Sequence, residues 1–230
     1  MMHRSIDKKK IYFYLLIFFF LSTIFNFKSV SKLKDINLIK TIDIKGLKNK
    51  EENYLKKNLK IFKNNNIFFI KKDKIENILN IFNFLDNYSI QKVLPSKLIV
   101  LAKKTTFKAI AIIEGKKFYI GENGKLTPAF QVTKENNLPM IFGKFSVNEF
   151  LNLQKVLNKL NFNLKNIDKY FYHQSNRWDL QFNNGLTLML PYNNVEKSLK
   201  IYGYLINVNL INSVKIIDLR IPNNVVLTHE

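Results

Sequence analysis

The chain has 230 residues, with 37 Lys and Arg against 17 Asp and Glu, for a formal net charge of +20. It has no cysteine, and its three histidines, His3, His173 and His229, are far apart in the chain. Those counts exclude disulfides, iron–sulfur clusters, thiolate zinc sites and thiol catalysis, and they leave no His-rich metal centre.

The first predicted element is apolar. Ile11 to Phe27 carries no charge over 17 residues. As a helix it would reach about 25 Å, against a bilayer core of about 30 Å. Extension to Val30 passes Lys28, whose ammonium can snorkel to the interface. Arg4, Lys8, Lys9 and Lys10 stand just before the run. The positive-inside rule then gives a cytoplasmic tail over 1–10, a transmembrane helix over 11–30 and the remaining chain outside. A cleaved signal peptide is the alternative, with Ser29-Val30-Ser31 as its one candidate cleavage site. Such a peptide has an apolar region of about 7–15 residues, and this run is longer, bulkier and followed by Lys28. The retained anchor is therefore preferred.

Beyond the anchor, short strands alternate with short helices. Four helix starts carry a capping-box pattern: Asn49 with Glu52, Asp73 with Glu76, Ser146 with Glu149, and Asn193 with Glu196. Each precedes one apolar stripe at helical spacing. The stripes are Leu55, Leu59, Phe62; Ile75, Ile78, Leu79, Phe82; Phe150, Leu153, Leu157, Leu160; and Val195, Leu199, Tyr202, Ile206. Strands are predicted over 38–44, 89–93 and 97–103, giving a β-α-α-β-β module over 36–104. A second module over 105–230 has strands at 107–113, 117–120, 169–173, 178–182, 186–190, 214–221 and 225–228. Asn184-Gly185 between alternating runs marks a hairpin. The fold class is α+β, with a mainly antiparallel sheet in the second module. The apolar stripes and Trp178 read as core.

This order of anchor and two modules resembles the FtsQ/DivIB family, bitopic cell-division proteins whose first extracytoplasmic module is a POTRA domain. Ile42-Asp43-Ile44-Lys45-Gly46 is similar to the family's first POTRA strand, and Asn66 to Ile70 to the link between its helices. Val93-Leu94-Pro95-Ser96-Lys97 to Val100 resembles its strand–proline–strand segment. Tyr119 to Gly124, Leu138 to Gly143, Arg177 to Leu190 and Ile217-Asp218-Leu219-Arg220 follow in the family's order. Lys104 and Phe107 depart from it, standing where the family has an acidic residue and a proline.

The resemblance implies a non-enzymatic scaffold of the division complex, single-pass in the inner membrane, with its bulk in the periplasm at the division septum. It implies FtsB, which travels with FtsL, as the partner, docked by strand addition at the C-terminal sheet edge. Arg220, Ile221, Asn223, Asn224 and Val225 would line that dock, with Lys197 and Lys200 on the preceding helix meeting acidic partner residues. The POTRA module would offer a second surface to other division-complex membrane proteins. The alternative is another POTRA-bearing envelope protein acting in secretion or outer-membrane assembly.

No cofactor, metal site or nucleic-acid partner is expected. Arg is limited to Arg4, Arg177 and Arg220, and Lys is interspersed with Ile and Asn as on solvated faces. No glycine-rich phosphate loop occurs. His173, Ser175 and Asp179 lie close in sequence, but there is no Gly-x-Ser-x-Gly elbow, so they read as ordinary polar residues.

Overall fold

The structure, a computed structural model, describes residues 8–23, 37–208, 213–222 and 224–229. Helix α1 (Lys8–Thr23) opens on three lysines and is apolar all round from Ile11 to Leu21, and Tyr12, Phe13, Leu16, Phe18, Phe19 and Phe20 are all exposed. A helix with no polar face calls for an apolar environment on every side. At 16 residues it rises about 24 Å. Among the described residues no helix is long and apolar enough to cross a membrane. The predicted run continues over 24–30, which lies outside the described residues.

The first module runs β1 (Thr41–Lys45), α2 (Asn49–Leu59), α3 (Lys72–Leu79), β2 (Leu85–Val93) and β3 (Lys97–Lys104). Its sheet has the order β1-β3-β2, parallel between β1 and β3 and antiparallel between β3 and β2. Alternation sets the faces: Ile42, Ile44, Leu98, Val100 and Ala102 turn into the core, where Leu55, Leu59, Ile75 and Leu79 of the two helices meet them. The ladder starts at Thr41 rather than Leu38, because Leu38 bridges Asn66 instead. Gly46, with φ +91°, ends β1 where a Cβ would overlap the Ala102 carbonyl oxygen. That contact is why the strand stops on glycine.

The second module comprises β4 (Phe107–Ile113), β5 (Lys116–Gly121), β6 (Leu126–Pro128), β7 (Met140–Phe142), α4 (Val147–Lys159), β8 (Ile167–Tyr172), β9 (Trp178–Phe182), β10 (Thr187–Met189), α5 (Val195–Asn207), β11 (Val214–Asp218) and β12 (Val226–His229). Together the strands form one sheet of order β12-β11-β10-β9-β8-β7-β4-β5-β6. Pairing is antiparallel except for β10–β11, β7–β8 and β4–β7. One row of partners, Ala111, Ile141, Tyr170, Leu180, Leu188, Ile217 and Leu227, crosses seven strands on the face that α4 and α5 cover. Trp178 is buried on this face among Phe150, Tyr170 and Tyr172.

Of the four predicted capping boxes, only Ser146 with Glu149 forms. The N-caps of α2, α3 and α5 are Lys48, Lys71 and Asn194, none with a side-chain cap. Asn49 is already helical, Asp73 lies in the first turn, and Asn194 takes a left-handed conformation that moves the start past Asn193. In α5, Leu205 is buried and Ile206 exposed, so the predicted stripe slips by one position at its end.

The modules share a core. Phe107, Ile110, Tyr119 and Val132 pack among the buried residues of the first module, with Phe107 stacked on Tyr119 at 4.9 Å. Polar ties reinforce the joint. The Asn123 amide donates to the carbonyls of Asn83 and Leu85 at 3.0 and 3.1 Å. Lys104 Nζ lies 2.8 Å from Glu51 Oε1 and 2.7 Å from Glu135 Oε1. Thr133 donates to Glu51 through its amide and hydroxyl. Burial pushes the Glu51 carboxyl up, but Lys104 and Thr133 more than offset it, so Glu51 titrates below its ordinary value.

Candidate functional site

The last strand, β12, is at one end of the nine-stranded sheet, and β11 is its only strand neighbour among the described residues. An edge strand turns one row of backbone N–H and C=O groups away from the sheet. The connection that leads into it is shaped by Asp218. That carboxylate accepts from the Arg220 amide at 2.9 Å and from the guanidinium at 2.6 to 2.9 Å. The Arg220 fork holds the Asp218 carboxyl below its usual range, against the push of burial, and raises Arg220 in turn. Once Asp218 turns back on Arg220, the ladder ends, so the predicted strand over 214–221 stops at Asp218. A tight turn follows, with the Asn224 amide donating to the Ile221 carbonyl at 3.2 Å.

Beside this connection lies a cleft of about 260 Å³. Its walls bring together four of the predicted site residues, Lys197, Arg220, Ile221 and Asn224. They come from the start of α5 and from the β11–β12 connection. Lys197 and Ile221 are exposed, so the cleft presents a cation beside an apolar contact. Val225 is half-buried and packs on the core that backs the cleft. Lys200 does not line it: its ammonium lies 3.3 Å from Glu196, which also meets Lys159 at 3.0 Å. Asn223 lies outside the described residues.

The rest of the lining includes residues that no motif marks. Pro191, Tyr192, Asn194 and Ile201 are among the other residues that line the cleft, and Tyr192 is largely exposed. Pro191 to Asn194 form a Pro-Tyr-Asn-Asn stretch before a helix, which reads in the sequence as an ordinary loop.

His173 and Asp179 do meet, at 2.6 Å, with Arg177 2.7 Å from the same carboxylate. Asp179 accepts from both sides and braces the β8–β9 hairpin. Ser175 lies in the connecting turn and makes no hydrogen bond to His173 among the described residues. No group of three or more His, Asp or Glu among the described residues could hold a metal ion.

Two family models match this chain. The C-terminal region of the cell division protein FtsQ/DivIB matches residues 109–220, and the FtsQ-type POTRA domain matches residues 37–101. The chain belongs to the FtsQ/DivIB family of cell division proteins. The first of these matches takes in the cleft from both sides, Lys197 on α5 and Arg220 after β11. A solved structure of the major extracytoplasmic domain of the trans isomer of DivIB, from Geobacillus stearothermophilus, is similar over 48% of this chain and 98% of its own. It is 16% identical with a TM-score of 0.34, a likeness too loose to bear on the site. Among curated proteins none matches the chain. Family membership makes this a division protein with partners in the division complex.

Proposed function

We propose that this chain is a non-enzymatic, single-pass scaffold of the division complex that binds FtsB, and through it FtsL, at its C-terminal sheet edge. The observation that carries this reading is the position of β12, an edge strand beside the cleft of Lys197, Arg220, Ile221 and Asn224. In strand addition, main-chain hydrogen bonds give affinity and alternate side chains give specificity. Here the partner's backbone extends the sheet beyond β12, and its flanking acidic and apolar side chains enter the cleft. Helix α1 with the residues after it anchors the chain in the inner membrane, its basic N-terminal flank in the cytoplasm. The β-α-α-β-β module over 36–104 is the POTRA domain, and 105–230 carries the partner edge.

Depletion of the protein in its host tests this reading. The expected result is filamentous cells that replicate and elongate without completing septa. A secretion or outer-membrane assembly defect with normal septation would contradict it and favour the other POTRA-bearing class.

A further inference from the structure

The connection between α2 and α3 runs over residues 60–71. It sends Phe62, Ile67 and Ile70 into the core, yet leaves Ile61 65%, Phe68 56% and Phe69 83% exposed. Ile61 and Phe69 border one shallow depression, with Lys74 on its rim. Residues 60–74 contain five lysines, Lys60, Lys63, Lys71, Lys72 and Lys74, against one acid, Asp73. All five lysines are exposed, and one of them, Lys72, pairs with Glu76 at 3.1 Å.

The chain also enters the first module at this point. The Ile67 amide donates to the Asn37 carbonyl at 2.8 Å, the Ile39 amide donates to the Asn65 carbonyl at 3.0 Å, and Leu38 bridges Asn66. The stretch from Thr23 to Asn37 spans at most about 50 Å even when fully extended. A surface held this close to a bilayer meets it at high effective concentration. Exposed aromatic and aliphatic side chains ringed by lysine are the chemistry that binds an anionic lipid interface, by apolar burial plus attraction to headgroups.

We propose that the α2–α3 connection docks on an anionic bilayer surface, with Ile61, Phe68 and Phe69 entering the headgroup boundary and the lysines contacting lipid phosphates. The inference rests on the reading of α1 as a membrane anchor. Docking there fixes the orientation of the ectodomain and turns the POTRA module's helix-connecting end to the membrane.

The absence of cysteine makes the test clean, since one introduced Cys takes a unique label. The full chain carrying Asn65→Cys with an environment-sensitive fluorophore is reconstituted in phosphatidylcholine vesicles, with or without phosphatidylglycerol. Thr228→Cys serves as the distant control. With phosphatidylglycerol, the label at 65 is expected to shift to the blue and to lose access to an aqueous quencher several-fold. Phe68→Ser with Phe69→Ser should abolish the shift, and Lys63→Glu with Lys71→Glu should weaken it. Unchanged circular dichroism would show that these exposed substitutions leave the fold intact. A chain that floats with the vesicles while both labels stay equally open to quencher overturns the docking surface alone. A shift of equal size in neutral vesicles overturns its anionic selectivity, and one that survives Phe68→Ser with Phe69→Ser overturns the assigned contact. A chain that floats with neither vesicle overturns the anchor and the docking surface together.

Discussion

Lys104→Met is expected to lower the unfolding free energy by about 3 kcal/mol, the low end of the cost of breaking a buried ion pair from one side. The Glu51 side chain is 0% exposed and Lys104 14% exposed, so removing the ammonium leaves a buried carboxylate with no cation beside it, held by Thr133 and its own backbone amide. Substituting Glu51 as well, as Glu51→Gln with Lys104→Met, should cost less than Lys104→Met alone, because the fully buried carboxylate is gone and the other partner, Glu135, is partly exposed to water. Urea unfolding of the two variants checks this. The pH dependence has a definite sign. The folded Glu51 titrates below its ordinary value, so its contribution is full above about pH 4.3. It is lost as pH falls through the lower folded value. In Lys104→Met the carboxyl loses its cation and should titrate higher than in the native chain, so the penalty of that variant should shrink on acidification. Equal stability of Lys104→Met and the native chain at neutral pH would remove the cluster as a tie between the modules.

Lys197→Glu with Ile221→Asp should weaken binding of FtsB by about 30-fold or more, the scale of a hot-spot loss of about 2 kcal/mol. Both side chains line the cleft, one from α5 and one from the β11–β12 connection. Ile221 is 54% exposed, so its replacement should change folding stability by less than about 1 kcal/mol. A binding loss would therefore report the cleft and not the fold. Lys200→Glu should have a smaller effect than Lys197→Glu. Lys200 lies outside the cleft lining, in an exposed cluster with Glu196 and Lys159. Calorimetric titration with the partner's extracytoplasmic segment gives the comparison, and a cleft variant that binds as tightly as the native chain would move the site elsewhere.

Much of this fold is legible in the sequence where one face of an element is buried. β4 and β9 keep their predicted bounds of 107–113 and 178–182, β9 through the alternation of Trp178, Leu180 and Phe182 with Asp179 and Gln181, and β4 through a short apolar run. The core stripes of α2 and α4 are those the spacing marks, from Leu55 and Leu59 to Phe150, Leu153 and Leu157. β6 and β7 escape detection because three residues carry no period. Met140–Phe142 becomes a strand only because β4 and β8 flank it in parallel. Residue type alone is a weak guide to caps, since Ser146 adopts the extended conformation a cap needs whereas Asn194 is left-handed. The lysine at 104, where the family carries an acid, is explained only by partners 53 and 31 residues away, Glu51 and Glu135. At the candidate site, Arg220, Ile221 and Asn224 were reachable from the sequence through the resemblance. Tyr192 and Pro191 were not, because their place in the cleft depends on how the β10–α5 and β11–β12 connections come together.

If FtsB adds to β12, its binding should order the backbone of that strand. The most direct measurement is amide hydrogen exchange of the full-length chain with and without that partner. The expected result is new protection at Val226–His229 and around Ile221 and Asn224, with the row of amides facing away from β11 slowed most. Protection confined to the first module, with β12 exchanging as fast as in the free chain, would contradict it.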